Sequence, residues 1–200
     1  MTGIAQLASA LALLLSFALM RATRRGGAVR LCVLQGCVAA LAAGIQAWVH
    51  AAPQLAFVAL LAGALNGVAM PLVLKCLGDR SGTEPILPKG HNAYTPVVAI
   101  VLATLSVAAA IHARAGTDIP ALASGLSVLL LGLLLVTTDR YRDVPAVGLL
   151  SAQNGIVLAA SAVPGLPAVA FLVCAVPFIA GLLAVGMWLR RVCQSSLASQ

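Results

Sequence analysis

Seven runs of apolar residues, each about as long as a bilayer's hydrocarbon core is thick, take up most of this 200-residue chain. They lie near Gly3–Met20, Val29–Val49, Gln54–Leu77, Thr95–Ile111, Ile119–Thr138, Pro145–Val163 and Leu166–Leu189. About 20 such residues cross the core as a helix, and the intervals between the runs leave no room for a soluble domain. Strands of a membrane β-barrel would alternate polar with apolar side chains, and runs such as Leu129–Val136 do not. The sequence therefore predicts an all-α integral membrane protein, with residues 1–200 forming a single transmembrane domain. Composition agrees: 62% of residues are hydrophobic and 8% charged, and the mean hydropathy is +1.06.

The cations fix an expected orientation. Arg21, Arg24, Arg25 and Arg30 flank the first connector, and Lys75, Arg80 and Lys89 belong to the third. Arg140 and Arg142 occupy the fifth, and Arg190 and Arg191 follow the last run. Eleven of the 12 Lys and Arg thus share one side, with Arg114 alone opposite. Positive residues gather on the cytoplasmic side, so the N-terminus is expected outside and the C-terminus inside. In residues 1–20 the charges follow the apolar run, the reverse of a cleavable signal peptide. This order predicts a first helix that inserts with its N-terminus outward and stays in the membrane. Juxtamembrane arginines beside anionic headgroups account for the net charge of +7, with no nucleic-acid partner implied.

The acids are Asp79, Glu84, Asp118, Asp139 and Asp143, and every one falls in a connector. A proton- or cation-moving machine usually keeps a carboxylate at bilayer depth, where its pKa can be tuned. The five cysteines, Cys32, Cys37, Cys76, Cys174 and Cys193, contain no CxxC pair, and Cys32 and Cys37 do not share a helix face. Neither a metal site nor a cofactor is expected, and the cysteines read as small apolar fillers.

Polar residues inside the runs are the candidate functional positions. Asn66 and Pro71 interrupt the third run, near Gly63 and Gly67. A proline frees a helix carbonyl, so this stretch is either a packed kink or the lining of a polar path. Lys75 is placed to snorkel to the headgroups. Gln153 and Asn154 form the most polar pair well inside a run; their amides can bond across helices or order water. The connector Gly78–Tyr94 is the longest, and Ile86 and Leu87 stand between its prolines Pro85 and Pro88. It is either a solvated linker or a cytoplasmic docking segment. The stretches Ala39–Gly44 and Leu122–Gly125 are rich in small residues, which suits close helix packing. At an offset of 118, Arg24, Leu31 and Gln35 lie over Arg142, Leu149 and Gln153. Residues 1–77 and 119–189 would then be parallel repeats joined by the helix at 95–111.

The stretch Gly148–Gly155, GLLSAQNG, resembles the hydrogenase-4 component E family, whose pattern here is glycine, four residues, then Glu-Asn-Gly. Those proteins are small seven-span membrane subunits of formate-hydrogenlyase-type and related complexes. Arg140, Gln35 and Pro71 also fall where that family has Arg, Gln and Pro, and the last three runs are similar to the K subunit of complex I. The resemblance implies a subunit of a complex-I-like membrane arm, beside an antiporter-like subunit. The chain departs from the family at three places. Gln153 stands at the family's glutamate, Asn66 at a lysine, and Ala175 near an aspartate. Loss of an acid and a base together is electrostatically coherent, because either one left alone would be a buried unpaired charge.

The expected function is therefore a non-catalytic membrane-arm subunit of a redox-coupled ion-translocating complex. Its candidate intramembrane polar positions are Gln153, Asn154, Asn66 and Gln35. The candidate cytoplasmic interface is Ile86, Leu87, Arg140 and Arg142. The alternative is a free-standing seven-span carrier, to which the dipeptide Pro53-Gln54 is similar in the PQ-loop carriers. An enzyme is not expected, since no nucleophile–base set appears.

Overall fold

The computed structural model describes residues 2–22, 25–64, 94–112, 118–138 and 144–163. Six helices cover almost all of them: α1 Thr2–Met20, α2 Arg25–Val49, α3 Pro53–Ala64, α4 Tyr94–His112, α5 Ile119–Thr138 and α6 Val144–Ala162. No strand occurs among the described residues. Four helices, α1, α2, α4 and α5, are long and apolar enough to cross a membrane, while α3 and the apolar part of α6 are shorter. The helix borders differ from the apolar runs mainly at α2, which starts at Arg25 instead of Val29. The helix continues through Arg25–Arg30 beyond its apolar stretch because arginine is a good helix former.

The helices present large side chains outward and small ones inward. On α1, Leu7 is 72% and Leu14 65% exposed, whereas Ala5, Ala8, Ala12 and Ser16 are buried. On α2, Leu34, Leu41 and Trp48 point out at every seventh residue, and Ala39, Ala42, Ala43 and Ala47 point in. A soluble bundle would do the reverse. In lipid, tails are as apolar as leucine, so helices associate through close contact of small residues and turn bulky ones to the acyl chains. The buried serines behave as small residues too: Ser9, Ser16, Ser124, Ser127 and Ser161 each donate to a carbonyl three or four residues back in their own helix.

Two hairpins lie side by side. Helix α1 packs on α2 and α5 packs on α6; α1 then meets α5, and α2 meets α6. Helix α3 folds back onto α2 and touches α6, and α4 packs on the outer side of α5. Helix α6 is the most enclosed, with Leu149 the one exposed residue between Val147 and Val163. The α5–α6 contact is made backbone to backbone. Gly125 faces Ala159, Gly155 faces Leu129 and the Gly125 carbonyl, Gly132 faces Ala152 and Gly148, and Gly148 faces Val136. This is an antiparallel register held by two glycine pairs. Each pair is spaced seven residues apart, two turns, so that both members stay on one face.

The α2–α3 turn closes with a Schellman motif. The N–H of Ala52 donates to Ala47 O at 3.0 Å and that of Ala51 to Trp48 O at 3.4 Å, while Ala51 takes a φ of 48°. This left-handed position usually holds glycine. Pro53 then starts α3 where a missing N–H costs no helix bond. Pro53-Gln54 is thus a helix start, with both residues exposed.

Candidate functional site

The four helices of the paired hairpins enclose two apolar clusters. One comprises Leu19, Cys32, Leu135, Val147 and Leu150. The other comprises Ala8, Ala12, Ala39, Ala42, Val128 and Leu158. Between them lies a polar layer. Gln35 sits on α2 between Cys32 and Ala39, and Ser16 on α1 between Ala12 and Leu19. Asn154 sits on α6 one turn from both Leu150 and Leu158, on their stripe. Gln35 and Asn154 are 0% exposed and Ser16 is 2%.

Gln35 Nε2 donates to Ser16 Oγ at 2.7 Å and approaches Ala12 O at 3.5 Å. The Ser16 hydroxyl donates in turn to Ala12 O at 3.0 Å. The amide orientation is dictated by these partners, since a reversed amide would set Oε1 against the Ala12 carbonyl oxygen. Gln35 Oε1 is then left buried without a hydrogen-bond partner among the described residues. One turn away, the Cys32 thiol lies 3.9 Å from Val147 O. Cys37, on the other face of α2, is exposed.

Gln153 lies one turn before Val157, on the stripe that continues to Ala160. That stripe shares a cluster with Ala43 of α2 and Val58, Ala59 and Ala62 of α3. Gln153 is 5% exposed, and its Nε2 also has no partner among the described residues. An unsatisfied buried polar group costs about 1–3 kcal/mol. The structure therefore brings three of the predicted intramembrane positions, Gln35, Gln153 and Asn154, into the bundle interior. The fourth, Asn66, lies outside the described residues, as do Pro71, Lys75, Ile86, Leu87, Arg140, Arg142, Ala175 and the seventh run.

A second polar group was not foreseen from sequence, where Asp118 was assigned with the connectors. Asp118 immediately precedes α5. Its Oδ1 accepts from Gln6 Nε2 of α1 at 3.3 Å and its Oδ2 from Gln46 Nε2 of α2 at 3.2 Å. Its N–H donates to Ala162 O at the end of α6, at 3.2 Å. His50 Nε2 lies 3.2 Å from Gln46 Oε1, so the imidazole N–H donates to the amide. Asp118, at the start of α5, thus ties α1 and α2 through its carboxylate and the end of α6 through its backbone N–H. A sequence signal exists: Gln46 and His50 are four apart on one helix face, and Gln6 sits near the same end of the hairpin.

Away from these groups, an apolar groove of about 850 Å³ opens between α2 and α3. Ala40, Gly44, Ala59 and Gly63 are among its small lining residues, and Leu41 and Trp48 among the large ones.

The chemistry of the polar layer around Gln35, Ser16 and Asn154 is that of neutral donors and acceptors. Amides and hydroxyls hydrogen-bond and bind polar molecules, but they do not exchange protons near neutral pH. Among the described residues, no group of three or more His, Cys, Asp and Glu is placed to hold a metal ion. Comparison with family models, curated proteins and solved structures finds no match to this chain.

Proposed function

We propose that the chain is a non-catalytic membrane-arm subunit of a hydrogenase-4-like or complex-I-like redox-coupled ion-translocating complex. It packs beside an antiporter-like subunit in a bacterial inner membrane. In this reading seven helices cross the bilayer, with the N-terminus outside and the C-terminus cytoplasmic, as the placement of 11 of 12 cations on one side favours.

The observation that supports the reading most is the use made of Gly148–Gly155, the stretch that carries the resemblance. Its two glycines seat α6 backbone to backbone on α5. Gln153, at the place of the family's glutamate, is buried as a neutral amide. The apolar clusters on either side of the polar layer close it along the bundle axis. Such an interior suits a subunit that packs and seals, leaving ion movement to a neighbour with titratable groups at bilayer depth.

The test is assembly yield and ion translocation of the parent complex in proteoliposomes, measured for variants at Gln153. Gln153→Ala is expected to lower assembly modestly, with translocation falling in proportion. Gln153→Glu is expected to be harsher, because a new buried carboxylate lacks a cation at Asn66. Gln153→Glu with Asn66→Lys is expected to recover part of the loss. Intact assembly with translocation abolished in Gln153→Ala would place this amide on an ion path and overturn the packing role.

A further inference from the structure

We propose that Asp118 is a latch between the two hairpins, holding shut a polar layer at the end of the bundle where α1 starts. That layer lies one turn beyond the cluster that Ala42, Val128 and Leu158 share with Ala8, Ala12 and Ala39. Gln46 follows Ala42 by four residues, Ser124 precedes Val128 by four, and Ser161 follows Leu158 by three. Each therefore continues the stripe that enters the cluster. All three are buried, at 3%, 7% and 8% exposed. Asp118 belongs to the α5–α6 hairpin, where its N–H donates to Ala162 O. Its carboxylate reaches across to the other hairpin and accepts from Gln6 of α1 and Gln46 of α2. Bonds to an ionised carboxylate are roughly twice as strong as those between neutral groups. His50 donates to the Gln46 carbonyl oxygen, which holds that amide with its Nε2 turned to Asp118.

Each hairpin is firm within itself. Backbone contact seats α5 on α6, and the Gln35–Ser16 bond ties α1 to α2. The interface between the hairpins changes along its length. At the end away from Asp118 it is filled by Leu19, Leu135, Val147 and Leu150 around Cys32. Nearer Asp118 four of the six clustered side chains are alanines, which offer fewer atoms for packing contact. The far cluster is thus the pivot. With the carboxylate released, the hairpins part at the near end as rigid bodies. Parting uncovers Gln46, Ser124 and Ser161 while the far cluster stays shut, so it opens a blind vestibule instead of a channel. The latch does not depend on the assembly to which the chain belongs.

Thiol accessibility tests the latch in native membranes permeabilised to admit reagent to both faces. The chain used has Cys37, Cys76, Cys174 and Cys193 replaced by alanine. Ser124→Cys reports on the near layer, and the native Cys32, buried in the far cluster, reports on the pivot. Modification by a water-soluble maleimide is followed by mass spectrometry of the purified chain. Asp118→Asn keeps one acceptor oxygen and is expected to speed modification at position 124 about tenfold, with Cys32 unchanged. Gln6→Ala, with Asp118 intact, is expected to speed it by less, and it carries the same test if the first variant does not accumulate. Unchanged rates at position 124 would overturn the latch. Equal acceleration of both thiols would overturn it as well, because Asp118 would then be an ordinary stabilising contact.

Discussion

The carbonyl oxygen of Gly125 lies 2.8 Å from the point where Gly155 would carry a Cβ. The Leu129 backbone is nearer still, with its nitrogen closest and its Cα at 2.7 Å, so no flexible side chain stands there that could move aside. The α5–α6 seam is therefore a contact between two backbones, and glycine is required on both sides of it. Gly155→Ala is expected to force the helices apart and destabilise the bundle by about 1–3 kcal/mol, the usual cost of overpacking. Gly27→Ala meets nothing within 4 Å and is expected to be neutral or slightly stabilising. Reversible unfolding in bicelles compares the two; equal effects would contradict the seam.

The Asp118 group makes a second expectation. Asp118→Ala removes the acceptor of both Gln6 and Gln46 and leaves Nε2 of Gln46, a residue 3% exposed, without its acceptor. A loss of about 1–3 kcal/mol is expected in the same assay. Asp118→Asn keeps one carbonyl oxygen and is expected to lose less. If Gln46→Ala in the Asp118→Ala background costs as much as it does alone, the two residues do not act together.

At the α2–α3 turn, Ala51 holds a left-handed conformation with φ of 48°. A non-glycine residue there carries about 1–2 kcal/mol of strain, partly offset in a glycine variant by the greater freedom of its unfolded chain. Ala51→Gly is expected to raise stability by a fraction of that strain. Ala51→Val, with a branched Cβ in the same conformation, is expected to lower it. A lower melting temperature for Ala51→Gly than for the parent chain would contradict the Schellman closure.

Much of the fold was legible because bilayer thickness is a fixed ruler. The runs Gly3–Met20, Thr95–Ile111 and Ile119–Thr138 match α1, α4 and α5 within a residue or two. The burial of Gln35, Gln153 and Asn154 was legible as well, because polar residues inside apolar runs turn inward. The α5–α6 register was not. Gly125, Gly132, Gly148 and Gly155 are visible as heptad-spaced glycines, but their pairing depends on how the hairpin closes. The Asp118 group stayed hidden for a related reason: Gln46 and Asp118 are 72 residues apart. A carboxylate one residue outside a helix reads as loop until the helix ends around it are assembled.

Membership of a larger assembly is the central claim, and purification of the tagged chain from native membranes in mild detergent tests it most directly. The eluate is sized and its components identified by mass spectrometry. The account predicts migration as part of a large particle containing an antiporter-like membrane subunit and redox subunits in fixed ratio. It also predicts loss of the chain from membranes when that antiporter-like partner is deleted. A particle containing this chain alone, with undiminished accumulation in the deletion strain, would contradict the account and favour a free-standing carrier.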